Sequence, residues 1–95
     1  MFEAVKRRLG IAEAITVYDE DIQMYIDDCA QDMIASGVPK AVVDAETEAV
    51  LTAATLYVNA YLGNDRADTE KYLDLYCQKV FRLTLEPDGS EENVE

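Results

Sequence analysis

The sequence predicts an all-α fold: a small bundle of four helices followed by a flexible acidic tail. Apolar residues recur at spacings of three and four in four successive stretches, the pattern of helices that bury one face. Gly10, Gly37 and Gly63 each follow one of those stretches, and glycine closes helices because it enters left-handed conformations without a side-chain clash. A chain of 95 residues, 49% of them apolar, suffices for one modest core and leaves no room for a linker-separated second domain.

The first predicted helix is short, about Phe2 to Leu9, with Phe2, Val5 and Leu9 on one face. Lys6, Arg7 and Arg8 crowd its last turn, where positive charge complements the helix dipole. Ile11 to Tyr18, rich in β-branched residues (Ile15, Thr16, Val17), reads as an extended connection. Asp19 is the expected N-cap of the second helix, with Glu20 and Asp21 in its first turn. Ile22, Tyr25, Ile26, Cys29, Met33 and Ile34 form its apolar stripe, and Asp27, Asp28 and Asp32 are expected to face away from most of it. Gly37 closes this helix and Pro39 prevents its continuation.

A turn over Lys40 to Val43 leads to Asp44, the next candidate cap, and a third helix from about Ala45 to Leu62. Val50, Leu51, Ala54, Tyr57, Val58, Tyr61 and Leu62 give it a wide apolar face. A helix so apolar around its circumference is expected at the centre, contacted on several sides. The fourth helix starts after Asp65 or Asp68, with Tyr72, Leu73, Tyr76, Val80 and Leu83 as its stripe. From Glu86 the composition changes. The last ten residues hold five carboxylates and no basic group, leaving the body at −7 and the tail at −5 of a total of −12. Residues 1–85 are therefore read as one helical domain and 86–95 as a disordered tail. The four glycine contexts, RLGIA, ASGVP, YLGND and PDGSE, share nothing and mark no repeat.

The inventory of reactive groups excludes more than it suggests. Twenty acidic residues against eight basic ones argue against a protein that grips nucleic acid through a basic face, or a membrane through a polybasic anchor. The chain has no histidine, so Ser–His, Cys–His and metal–His arrangements are not open to it. Cys29 and Cys77 cannot make a zinc site alone, and both lie in helical patterns, so buried free thiols are expected rather than a disulfide. No apolar run approaches the roughly 18–20 residues of a membrane span. Met1-Phe2-Glu3-Ala4 lacks the charged start and apolar core of a signal peptide, so retention in the cytoplasm is expected.

Candidate sites each stand beside a plainer reading. Asp19-Glu20-Asp21 and Asp27-Asp28 lack the glycine and glutamate spacing of an EF-hand and read as a dipole-favoured first turn and a solvated face. Carboxylate pairs can do acid–base work only in a cleft that raises one pKa, which nothing in the sequence signals. No enzymatic role, metal or cofactor is expected. Tyr57/Tyr61 and Tyr72/Tyr76 are i,i+4 pairs that pack the third helix on the fourth or, alternatively, sit at a subunit interface. Lys6-Arg7-Arg8 is either a dipole-compensating patch or a docking contact for an acidic neighbour. Thr84-Leu85-Glu86-Pro87 is either part of a solubilising end or a short segment that orders against a partner.

The order and character of the segments resemble the head–tail connector (adaptor) proteins of tailed bacteriophages. The stretches that carry the likeness are VKRRLGI at 5–11, YDEDIQMYIDDCAQDMIASGVP at 18–39, AVLTAATLYVNAYLGND at 49–65 and TEKYLDLYCQKVFRLTL at 69–85. The resemblance covers about residues 2–85 and rests on pattern and length. It implies a structural protein of the virion's head–tail interface, assembled in the host cytoplasm as a ring, twelve-fold on a dodecameric portal, after DNA packaging. Such a ring extends the DNA channel and docks a stopper or tail-completion protein, and DNA passes through without sequence-specific binding. It further implies that Leu83, Leu85 and Pro87 near the C-terminus reach toward the portal. Lys6, Arg7 and Arg8 become candidate contacts to a neighbouring subunit or the portal, and an acidic lumen suits a channel that must release phosphates.

One rival reading is an acidic inhibitor that imitates DNA and blocks a nucleic-acid-binding protein. A mimic needs carboxylates in rows at phosphate-like separations, whereas five of the twenty lie in the predicted tail. A second rival is a regulatory helical module whose partner the sequence does not name.

Overall fold

The computed structural model describes residues 1–63 and 66–85, with the side chains of Arg66 and Ala67 excepted. Among the described residues every regular element is helical: α1 (Phe2–Arg8), α2 (Asp19–Ala35), α3 (Lys40–Asp44), α4 (Glu48–Leu62) and α5 (Arg66–Leu83). The four predicted helices are present, and α3 adds a single turn. The expected disorder of the tail from Glu86 lies outside the described residues.

Helix α4 is the axis of the bundle, packed by α1, α2 and α5. Ala53 and Ala54 are fully buried on it and let the neighbouring helices approach closely, while Val50 and Val58 fill the spaces between. From α2 come Ile22, Ile26, Cys29 and Met33, and from α5 Tyr76, Val80 and Leu83. Val5 of α1, Val38 and Val43 close the ends of the same core. Burying such side chains is worth about 1.5–3 kcal/mol each. Thr69 near the start of α5 donates its hydroxyl to the Ala60 carbonyl at 2.8 Å, and Tyr57 lies against Tyr76, so α4 and α5 run antiparallel. Cys29 lies beside Tyr76 and Gly37 beside Thr84, so α2 and α5 run in the same direction.

Three local expectations are corrected. The connection Ile11–Tyr18 is folded into turns rather than extended, closed by Ile15 N–H to Ala12 O (2.9 Å) and Asp19 N–H to Thr16 O (3.1 Å). β-Branched residues favour extended backbone where a pleated surface can half-bury them. Here Val17 is 75% exposed and no strand lies alongside among the described residues, so local turns satisfy the backbone. Asp19 is the first helical residue, not the cap. Tyr18 precedes it without a side-chain cap, and the Asp19 carboxylate turns to Lys6. Asp44 ends α3 and pairs with Lys40 at 2.7 Å instead of opening the long helix. Glu46, at φ +50°, then breaks the chain direction, and Thr47 caps α4 by accepting the Val50 N–H at 3.3 Å. Helix α4 thus begins at Glu48, three residues later than predicted.

Gly37 ends α2 as expected, at φ +109°. Gly37 N–H bonds to Ile34 O and Val38 N–H to Met33 O, and Val38 packs in the core with Met33, which is the full Schellman arrangement. This sharp stop turns the chain back toward α3 and sets the end of α2 against the end of α5.

Candidate functional site

The basic cluster at the end of α1 divides by side chain. Lys6 is only 5% exposed. Its ammonium donates to the Glu13 carbonyl at 3.1 Å, stands 2.9 Å from Asp19 Oδ1 and lies 5.8 Å from the centre of the Phe2 ring. The contact with Asp19 is one of charge at short range rather than an aligned hydrogen bond, since Oδ1 accepts none. Lys6 therefore fastens α1 to the turns of the connection and to the first residue of α2. Arg8 turns to α4, donating to Glu48 and, at 3.2 Å, to the Thr52 hydroxyl. Arg7 is exposed and makes no ion pair among the described residues. Phe2, Glu3, Lys6, Arg7, Glu13 and Asp19 border a cavity of about 520 Å³ at this end of the bundle.

The tyrosines form a ladder through the bundle. Tyr76 meets Tyr57 edge-on at 5.0 Å, Tyr57 meets Tyr61 at 4.9 Å, and Tyr61 stacks on Tyr25 of α2 at 5.6 Å. Contacts of this geometry add about 0.5–1.5 kcal/mol each beyond area burial. Tyr72 stands apart from the ladder, half-buried on α5. The Tyr61 end is 44% exposed.

At the other end of the ladder the core holds a short polar relay. The Cys29 thiol donates to the Tyr76 hydroxyl at 3.7 Å, and that hydroxyl donates to Asp32 Oδ2 at 2.6 Å. Burial pushes the Cys29 thiol up to about 12, the Tyr76 hydrogen bond opposes that rise, and the nearby Asp32 charge adds to it. Burial also raises the Tyr76 hydroxyl far above the ordinary phenol range, reinforced by its bond to Asp32. Burial first, then the charges of Tyr61, Asp28, Asp32 and Cys29, raise Tyr57 to about 12. Cys29 and Tyr76, neutral at ordinary pH, join α2 to α5 through the Asp32 carboxylate. Both cysteines are free. Cys29 is buried as expected, but Cys77 is exposed, because it lies off the buried stripe of α5.

Among the described residues, no group of three His, Cys, Asp or Glu is arranged to hold a metal ion, and no helix is long and apolar enough to cross a membrane. The surface also presents large apolar side chains among its charges. Val17, Phe81 and Leu85 are 65–75% exposed. Leu83 is buried in the core, Leu85 projects outward and Pro87 lies outside the described residues.

A protein-family profile described as "Phage connector protein" matches residues 1–90, spanning all five helices. The chain belongs to the phage connector protein family. No curated protein and no solved structure gives a significant match. Membership gives the connector a head–tail role in the virion, in a structural rather than enzymatic family, associated with other phage head and tail proteins.

Sequence reasoning missed Asp32 and Tyr25 as ladder and relay members, and missed the Lys6–Asp19–Glu13 fastening. Asp32 stands three residues after Cys29 and seven after Tyr25, so it borders the apolar stripe, and a carboxylate there is within reach of a tyrosine from a facing helix. No spacing rule links Lys6 to Asp19 across a turn-rich connection.

Proposed function

We propose that this connector assembles as a ring beneath the portal, continues the DNA channel and presents the surface on which a stopper or tail-completion protein docks. The family match over residues 1–90 carries the reading. The surface supports it: Val17, Phe81 and Leu85 leave apolar area in water that a partner would cover. A net charge of −12 suits a lumen through which DNA slides, because carboxylates release no counterions from phosphates and give them no hold. Asp21, exposed at the start of α2 and outside the Met24 face, is the described α2 candidate for that lumen. Twelve copies would match a dodecameric portal, and the ring would be built in the host cytoplasm on filled heads.

For portal contact, Arg7 and Leu85 are the side chains best presented, since Lys6 and Arg8 are engaged within their own chain and Leu83 is in the core. Of the tyrosines, Tyr61 and Tyr72 are the better candidates for a subunit interface, Tyr76 being buried. The test is co-sedimentation with portal-containing, DNA-filled heads followed by negative-stain microscopy. Annular density at the portal vertex is expected. A chain that ignores heads yet competes with duplex DNA for a nucleic-acid-binding enzyme would instead be an acidic DNA mimic.

A further inference from the structure

Helices α4 and α5 leave a cleft of about 200 Å³ on their outer side, floored by Leu56 and Leu75 and flanked by Gln78, Lys79 and Arg82. Two cations one helical turn apart, at positions i and i+3 of α5, flank this cleft. Lys6, Arg8 and Lys40 are all paired with carboxylates of their own chain. Lys79 and Arg82 have no such partner among the described residues, in a molecule carrying twenty acidic groups. Leu75 beside them is 40% exposed.

The outer face of α2 has the opposite make-up. Met24, 49% exposed, projects from among Glu20, Gln23, Asp27 and Asp28. Gln23 donates to Asp27 Oδ1 at 2.9 Å and orders one of these carboxylates, and none of the three acids meets a cation among the described residues. One surface is an apolar floor flanked by unpaired cations, and the other an apolar projection flanked by unpaired anions.

We propose that the α4–α5 cleft of one connector receives the Met24 face of α2 from a second copy of this chain, Met24 seating on Leu56 and Leu75 while Asp27 and Asp28 meet Lys79 and Arg82. The proposal rests on the ring reading and names the two faces that meet. Because the faces share no residue, the contact is heterologous: each added copy leaves one free cleft and one free face, the condition for ring closure. Complementary charges would steer the encounter and fix its register, and salt would weaken it.

Charge reversal tests the pairing. Lys79→Glu with Arg82→Glu, or Asp27→Lys with Asp28→Lys, is expected to weaken self-association by about tenfold or more. All four changes on one chain are expected to restore it, since the pairing is then reversed on both faces. Sedimentation velocity reads the association, with the helical circular dichroism of each variant as the folding control. In a Cys77→Ser background, Met24→Cys with Leu75→Cys is expected to give disulfide-linked species larger than dimers. Rings on heads that tolerate either reversal, four changes that fail to restore association in a folded chain, or cross-linking that stops at dimers would overturn the pairing while leaving the ring intact. Failure of the unaltered protein to form rings even on heads would overturn the ring reading itself.

Discussion

Replacing Tyr76 by Phe removes one oxygen from the middle of the bundle and leaves everything else in place. The ring stays 3% exposed against Tyr57, so the edge-on contact survives. The hydrogen bond to Asp32 Oδ2 is lost, and the Cys29 thiol loses its acceptor. A hydrogen bond to a charged group contributes about 1.5–3 kcal/mol net. Asp32 is itself exposed and regains water, which places the first loss at the low end. The thiol is a weak donor and adds a fraction of that. The expected cost is about 2 kcal/mol, or a fall in Tm of roughly 8–16 °C for a domain of this size. Urea and thermal unfolding followed by circular dichroism measure it. Asp32→Ala should cost a similar amount, because it strands the same buried hydroxyl, and the double variant should cost little more than either alone. A Tyr76→Phe protein within about 0.5 kcal/mol of the parent, or strict additivity of the two changes, would show that the relay does not hold α2 to α5.

Asp19→Ala should destabilise by about 3 kcal/mol, since it leaves the buried Lys6 ammonium without its counter-charge, whereas Lys6→Met combined with Asp19→Ala should cost about 1 kcal/mol or less; urea midpoints rank them, and the reverse order would contradict the fastening role. Gly37→Ala should cost about 1–2 kcal/mol through its positive φ alone, because the added methyl meets Thr84 only at ordinary contact distance (3.7 Å). Stability should fall as pH rises above about 9. The folded chain keeps the protons of Cys29 and Tyr76, whose ordinary values are 9.0 and 10.0, after the unfolded chain has released them. Urea midpoints between pH 8 and 11 should show that slope, and Tyr76→Phe should flatten it; an equal slope in the variant would place its origin elsewhere.

The helical class, the central place of the Ala- and Tyr-rich helix and the Gly37 stop were legible because each rests on local periodicity or on one residue's backbone freedom. The extra turn α3 was not. Pro39 suits a helix start as well as a helix stop, and only the three residues Ala45 to Thr47, with Glu46 at φ +50°, separate α3 from α4. The basic cluster shows the same limit at the candidate site. Its sequence reads as one patch, but three consecutive helical positions point in three directions. One of them, Lys6, is drawn inward by a carbonyl and a carboxylate from a connection whose path no periodicity specifies.

As a phage connector, this chain is expected to join heads to tails. Deleting its gene from the phage that encodes it, and imaging the lysate by electron microscopy, tests this most directly. DNA-filled heads and separate tails should accumulate, and the gene supplied in trans should rejoin them. Intact tailed particles from the deletion would contradict that role.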